Sequence, residues 1–140
     1  MSCYNTCVVN APVDKVWLAL RNFHDMSWAA GVINDLKPLG KRAGDQVGAQ
    51  RVLNGVFHEP LHALDDLNRE SRYSIDDGPD VLAKDRVQGY VGHVRVSQIT
   101  TTNQTFVEWK SSWQEANGDV HAFCTPIYVA LLGALVKHYA

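Results

Sequence analysis

The sequence predicts an α+β fold: one curved antiparallel β-sheet wrapped around a long C-terminal α-helix, with two short helices after the first strand. Three observations carry this expectation. Helix-start signals follow directly on an opening strand, strand-type segments fill the middle of the chain, and an apolar-striped helix closes it. With 140 residues, no internal repeat and no linker, the chain reads as a single domain, 1–140.

Ser2–Val9 is rich in Cys, Tyr, Thr and Val and reads as a strand. Ala11-Pro12-Val13-Asp14 opens a helix, because proline suits a first helical turn and Asp14 complements the dipole there. Val13, Val16, Trp17 and Leu20 fall at helical spacing behind it. A second short helix is expected over Asp25–Ala30, ending at Gly31. From Val32 onward the pattern turns to about six antiparallel strands. Asp45–Leu53 and Val56–Leu64 flank Asn54-Gly55, a strong hairpin signal. Ser71–Ile75 follows, and Arg86–Ile99 and Thr105–Glu115 flank a polar turn. In that last pair Tyr90, Val94 and Val96 share a face with Val107, Trp109 and Trp113, which turns His93 outward. The final helix, about Asp119–Tyr139, has an apolar stripe of Phe123, Ile127, Leu131, Ala134 and Leu135. Pro126 either starts this helix, with Thr125 as its cap, or kinks it.

Composition excludes several classes. Thirteen basic against fifteen acidic residues give a net charge of −2, with no basic footprint for nucleic acid. The apolar stretch Ile127–Val136 is about half of what a membrane span needs. Met1–Cys7 has neither the charged nor the apolar region of a signal peptide. Cys3, Cys7 and Cys124 are an odd number without metal-type spacing, which fits reduced thiols in a cytoplasmic protein.

His58-Glu59-Pro60-Leu61-His62 matches H-E-x-x-H, a zinc-protease signature that needs both imidazoles on one helical turn. Here proline would break such a helix, and on a strand the two histidines stand roughly 13 Å apart. The match is read as coincidence, and no metal or cofactor is expected. No phosphate-binding glycine loop is present, and His93, His121 and His138 have no partner at catalytic spacing.

The order of elements resembles the helix-grip superfamily of START domains, birch-pollen-allergen-type proteins and polyketide cyclase/dehydratase-like proteins, also called SRPBCC. Ala11–Trp17 looks like that family's first helix, and Gly48-Ala49-Gln50-Arg51-Val52-Leu53-Asn54-Gly55 like its G-x-x-R-x-x-x-G strand. Glu59-Pro60-Leu61-His62-Ala63-Leu64-Asp65-Asp66 is similar to a strand of the plant abscisic-acid receptors and of onion lachrymatory-factor synthase. Tyr73-Ser74-Ile75 follows at the receptors' own spacing. The Asn54-Gly55 turn is shorter than the receptors' gate loop, so hormone gating is not implied.

The resemblance implies a small hydrophobic ligand between the sheet and the last helix, with Glu59 pointing inward and Arg51 beside it as a polar pair. Burial would raise the Glu59 carboxyl and Arg51 would lower it, a combination suited to acid–base work, with Arg51 anchoring an oxyanion. A structural ion pair is the alternative for the same two residues. A plain two-residue hairpin puts Arg51 opposite His58, and a bulge at Gly55 would bring it opposite Glu59. Phe57 shares the strand face of Glu59. Tyr73, Tyr90 and Trp109 are expected as apolar walls with phenol donors, Trp28 near the cavity mouth, and Phe123, Ile127 and Leu131 as the helix wall; plain core packing is the competing reading for all of them. Three functions stand: a binding module for a hydrophobic or aromatic molecule, a cyclase- or dehydratase-type enzyme, and an interaction protein. The chain is expected as a monomer or homodimer with no membrane span.

Overall fold

A computed structural model describes residues 1–140. The opening strand β1 (Ser2–Val9) leads into helix α1 (Val13–Leu20) and a single 3₁₀ turn at Ser27–Ala29. Strands β2 (Leu36–Leu39), β3 (Gln50–Leu53), β4 (Phe57–Asp65) and β5 (Glu70–Ser74) come next. After a 3₁₀ turn at Asp80–Leu82 come β6 (Val87–Gln88), β7 (Val91–Ile99), β8 (Gln104–Ser112), β9 (Glu115–Ala116) and helix α2 (Val120–His138). Seven strands form one antiparallel sheet in the order β1-β8-β7-β5-β4-β3-β2, and β6 pairs with β9 as a separate ribbon. The α+β expectation and the wrap of the sheet around the C-terminal helix therefore hold.

Boundaries shift where local backbone chemistry overrides the hydrophobic pattern. The stretch Arg86–Ile99 is two strands, because Gly89 adopts a positive φ of 69° that no extended strand accommodates. Val87–Gln88 consequently leaves the main sheet and pairs with Glu115–Ala116. The second short helix is only the 3₁₀ turn Ser27–Ala29. The first hairpin strand starts at Gln50, not Asp45, and the extra strand β2 covers its edge. Pro38 sits in β2, where a missing N–H is tolerated because the strand is outermost.

Helix α2 begins at Val120, six residues before Pro126, and runs through it. The cap is Asp119, whose Oδ1 accepts from the Ala122 N–H at 3.0 Å. Thr125 is instead inside the helix and donates to the His121 carbonyl at 2.8 Å. Asp119→Ala is expected to cost about 1 kcal/mol of stability, read as a lower denaturant midpoint in urea unfolding.

Burial on α2 falls on Val120, Cys124, Tyr128, Leu131, Leu132 and Leu135, a face turned from the expected stripe. Because the helix is apolar around most of its circumference, the sequence marks no unique inward side. At 19 residues, with a mean hydropathy of 1.6 over its apolar window, α2 is long and apolar enough to cross a membrane, unlike the shorter Ile127–Val136 stretch taken alone. In this fold it is the core helix, packed on β1 and on the 3₁₀ turn at Ser27–Ala29.

Candidate functional site

Asn54 and Gly55 both have positive φ, 53° and 71°, so the β3–β4 turn is tight and its glycine is required. Val56 is an extra residue on the returning strand, because Leu53 pairs with Phe57. That single insertion shifts the register by one and puts Arg51 directly opposite Glu59, with Val52 opposite His58. Glu59 and Leu61 point inward while His58 and His62 are exposed, so the two histidines of the H-E-x-x-H match lie on the other side of the strand.

Arg51 and Glu59 are 6% and 5% exposed. The guanidinium donates from Nε at 2.9 Å and from Nη2 at 2.7 Å, both to Glu59 Oε1. Its Nη1 donates to the Phe23 carbonyl at 3.0 Å, and its plane stacks on the Phe23 ring, with Cζ 3.7 Å from the ring centroid. Phe23 itself is fixed by its N–H, which donates to the Gly44 carbonyl at 2.8 Å. The second carboxylate oxygen, Oε2, has no protein donor.

Burial lifts the Glu59 carboxyl above the ordinary carboxylate range, and Arg51 pulls it back without cancelling the rise. A folded-state value above the unfolded one means that the folded protein holds the proton more tightly. The stability that Glu59 contributes is therefore complete below the unfolded value and is lost as pH rises through the folded one. A carbon-13 NMR titration of the Glu59 carboxyl is expected to show a midpoint above about 4.3. A midpoint at or below that value would mean that the charge of Arg51 outweighs burial.

Behind this pair lies a chain of side-chain hydroxyls. Trp109 Nε1 donates to Tyr73 Oη at 3.0 Å, Tyr73 Oη and Tyr128 Oη are 3.4 Å apart, Tyr128 meets Tyr90, and Tyr90 Oη donates to Cys124 Sγ at 3.5 Å. Donor counting fixes the direction. An indole N–H can only donate and each phenol has one proton, so Tyr90 spends its proton on Cys124, Tyr128 on Tyr90 and Tyr73 on Tyr128. No phenol proton is left for a ligand unless the chain opens, in contrast to the donor role expected for Tyr73 and Tyr90. Burial raises all three phenols, keeping them neutral, and pushes the Cys124 thiol up to about 11.

These groups line a cavity between sheet and α2 of about 40 Å³. Arg51, Glu59, Tyr73, Trp109 and Tyr128 are buried in its wall, and half-buried Ile33, Phe57 and Ile127 are the wall residues that reach the surface. That volume suits a few waters and is well below the roughly 300 Å³ at which sites for drug-sized ligands begin. Of the expected ligand-binding residues, Phe57, Tyr73, Tyr90, Trp109, Ile127 and Leu131 line it. Phe123 does not, because Cys124 holds the inward position on that turn. Trp28 is buried against Trp109, ring centroids 6.3 Å apart, and faces a smaller void of about 20 Å³ that shares Arg51, Tyr73 and Trp109. Tyr128, Cys124, Met26 and Leu82 are lining residues the sequence reading missed. Cys124 and Tyr128 follow Val120 at four-residue spacing, a signal hidden by reading the neighbouring row as the stripe.

Residues 2–140 match the family model described as polyketide cyclase / dehydrase and lipid transport. The chain belongs to this family. A solved structure of a protein from Nitrosospira multiformis is 38% identical, with a TM-score of 0.97 over 100% of this chain and 97% of that one. The protein XoxI from Bacillus cereus is 21% identical, with a TM-score of 0.81 covering 99% of this chain and 94% of its own. Ginseng major latex-like protein 151 from Panax ginseng is 12% identical at a TM-score of 0.79, covering 99% and 97% of the two chains. At such identities the last two likenesses concern the fold alone, which is the helix-grip arrangement. A search of curated proteins found no match. Membership in the polyketide cyclase / dehydrase and lipid transport family agrees with a domain suited to hydrophobic ligands.

Proposed function

We propose that this member of the polyketide cyclase / dehydrase and lipid transport family binds a small hydrophobic or aromatic molecule between the sheet and α2. The observation that carries the reading is a wall of apolar side chains that ends in one buried polar pair, Arg51 and Glu59. The cavity of about 40 Å³ is the closed form, and entry past Ile33, Phe57 and Ile127 requires those side chains to part. Three free thiols support a reducing, cytoplasmic setting for this activity.

A second reading has a specific observation in its favour. A carboxyl raised by burial, lining the cavity with Oε2 unpartnered, is suited to moving a proton, with Arg51 steadying an oxyanion. In that reading the protein is a cyclase- or dehydratase-type enzyme and Glu59 is its general acid–base group.

Wild type and Glu59→Gln incubated with a host metabolite extract separate the two, with solution and protein-bound fractions assayed by mass spectrometry. A compound enriched unchanged on the wild-type protein is the result expected for binding. A compound consumed, with a new mass appearing only with wild type, would instead establish the enzyme. If neither fraction changes, both readings fail.

A further inference from the structure

We infer that the occupant of the sheet–helix cavity is a neutral molecule carrying a hydroxyl, and that this hydroxyl donates to Glu59 Oε2 while accepting from Arg51. The inference rests on the binding reading and adds the chemical class of the ligand. Arginine and carboxylate commonly pair fork to fork, using both carboxylate oxygens. Here Nε and Nη2 both converge on Oε1, which leaves Oε2 as an acceptor without a donor in a side chain 5% exposed. A guanidinium has about five N–H groups, and three are spent on Oε1 and the Phe23 carbonyl, so two remain.

The phenol and indole protons of the wall are already spent. The protons of Tyr73, Tyr128 and Tyr90 run in one direction from Trp109 to Cys124. The Arg51–Glu59 pair keeps both an unused acceptor and unused donors, and both side chains line the cavity. A hydroxyl answers both, since it donates one proton and accepts on its lone pairs. The pair is neutral as a unit, so a charged ligand would bring an uncompensated charge into an apolar cavity. A carboxylate would meet Glu59, and an ammonium would meet Arg51. An O–H is also small enough for a void of about 40 Å³.

Fluorine NMR with four small probes tests this: 4-fluorophenol, fluorobenzene, 4-fluorobenzoate and 4-fluorobenzylammonium. The phenol is expected to bind at least about tenfold tighter than fluorobenzene, with both ions weaker than the phenol. In Glu59→Gln, the preference for phenol over fluorobenzene should shrink severalfold. Should that variant not fold, Arg51→Met/Glu59→Leu, which removes both charges together, should bind phenol and fluorobenzene alike. Equal binding of phenol and fluorobenzene to wild type would overturn the hydroxyl and leave the apolar-ligand reading standing. Tightest binding of the benzoate or of the ammonium would overturn the neutral class. An undiminished phenol preference in either variant would place the hydroxyl elsewhere. Binding of none of the four would overturn the binding reading itself.

Discussion

Glu59→Leu alone is expected to destabilise the fold by about 3–5 kcal/mol, because it leaves the Arg51 guanidinium buried without a counter-charge. Arg51 is 6% exposed, its Nε and Nη2 bonds both end on Glu59 Oε1, and of its hydrogen bonds only the one to the Phe23 carbonyl survives the substitution, beside its stacking on the Phe23 ring. The double variant Arg51→Met/Glu59→Leu is expected to recover most of that loss, since two apolar side chains of similar volume need no ion pairing. Urea unfolding of wild type, both single variants and the double variant gives the coupling directly. Additive losses would show that the two side chains do not act as a pair. Large recovery would also mean that the pair is not there for stability, which agrees with a role toward a ligand.

Gly92→Ala carries the second large effect. Gly92 stands opposite Tyr73 in the β5–β7 ladder, and a Cβ built on it would lie 2.1 Å from Tyr73 Cζ and 2.5 Å from its hydroxyl. Its φ is not in the left-handed region, so space and not conformation requires glycine here. The added methyl must push the Tyr73 ring out of the cavity wall and break its bond from Trp109 Nε1. Overpacking of this kind costs about 1–3 kcal/mol. In a Tyr73→Leu background the same Gly92→Ala change should cost much less, read by the same unfolding experiment as a double-mutant cycle. An equal cost in both backgrounds would place the clash elsewhere than at the Tyr73 ring.

The fold was legible because its signals are local: a proline-started first helix, an Asn-Gly hairpin and a long apolar last helix. The Arg51–Glu59 pairing was legible only in part. Residue types and the family resemblance suggested it, but one inserted residue, Val56, decides whether Arg51 faces Glu59 or His58. Tyr128 shows what periodicity does not resolve. On a helix apolar nearly all round, the sheet it packs against selects the inward row, and that choice is tertiary. The break at Gly89 is similar, since a glycine within a strand-like run states that a bend is permitted but not that it occurs. Cavity volume is a sum of packing details, and the approach of Tyr73, Tyr128 and Tyr90 that nearly fills the space has no counterpart in sequence spacing.

Whether the space under α2 receives a small apolar molecule is tested most directly by titrating methyl-labelled protein with fluorobenzene and following the methyl NMR signals. Ile75, Leu82, Ile127 and Leu131, which line the cavity, are expected to shift together and saturably. Val129 and Val136, on the outward side of the same helix, should stay in place. Shifts confined to Val129 and Val136, or none at any methyl, would contradict a ligand site between the sheet and the helix.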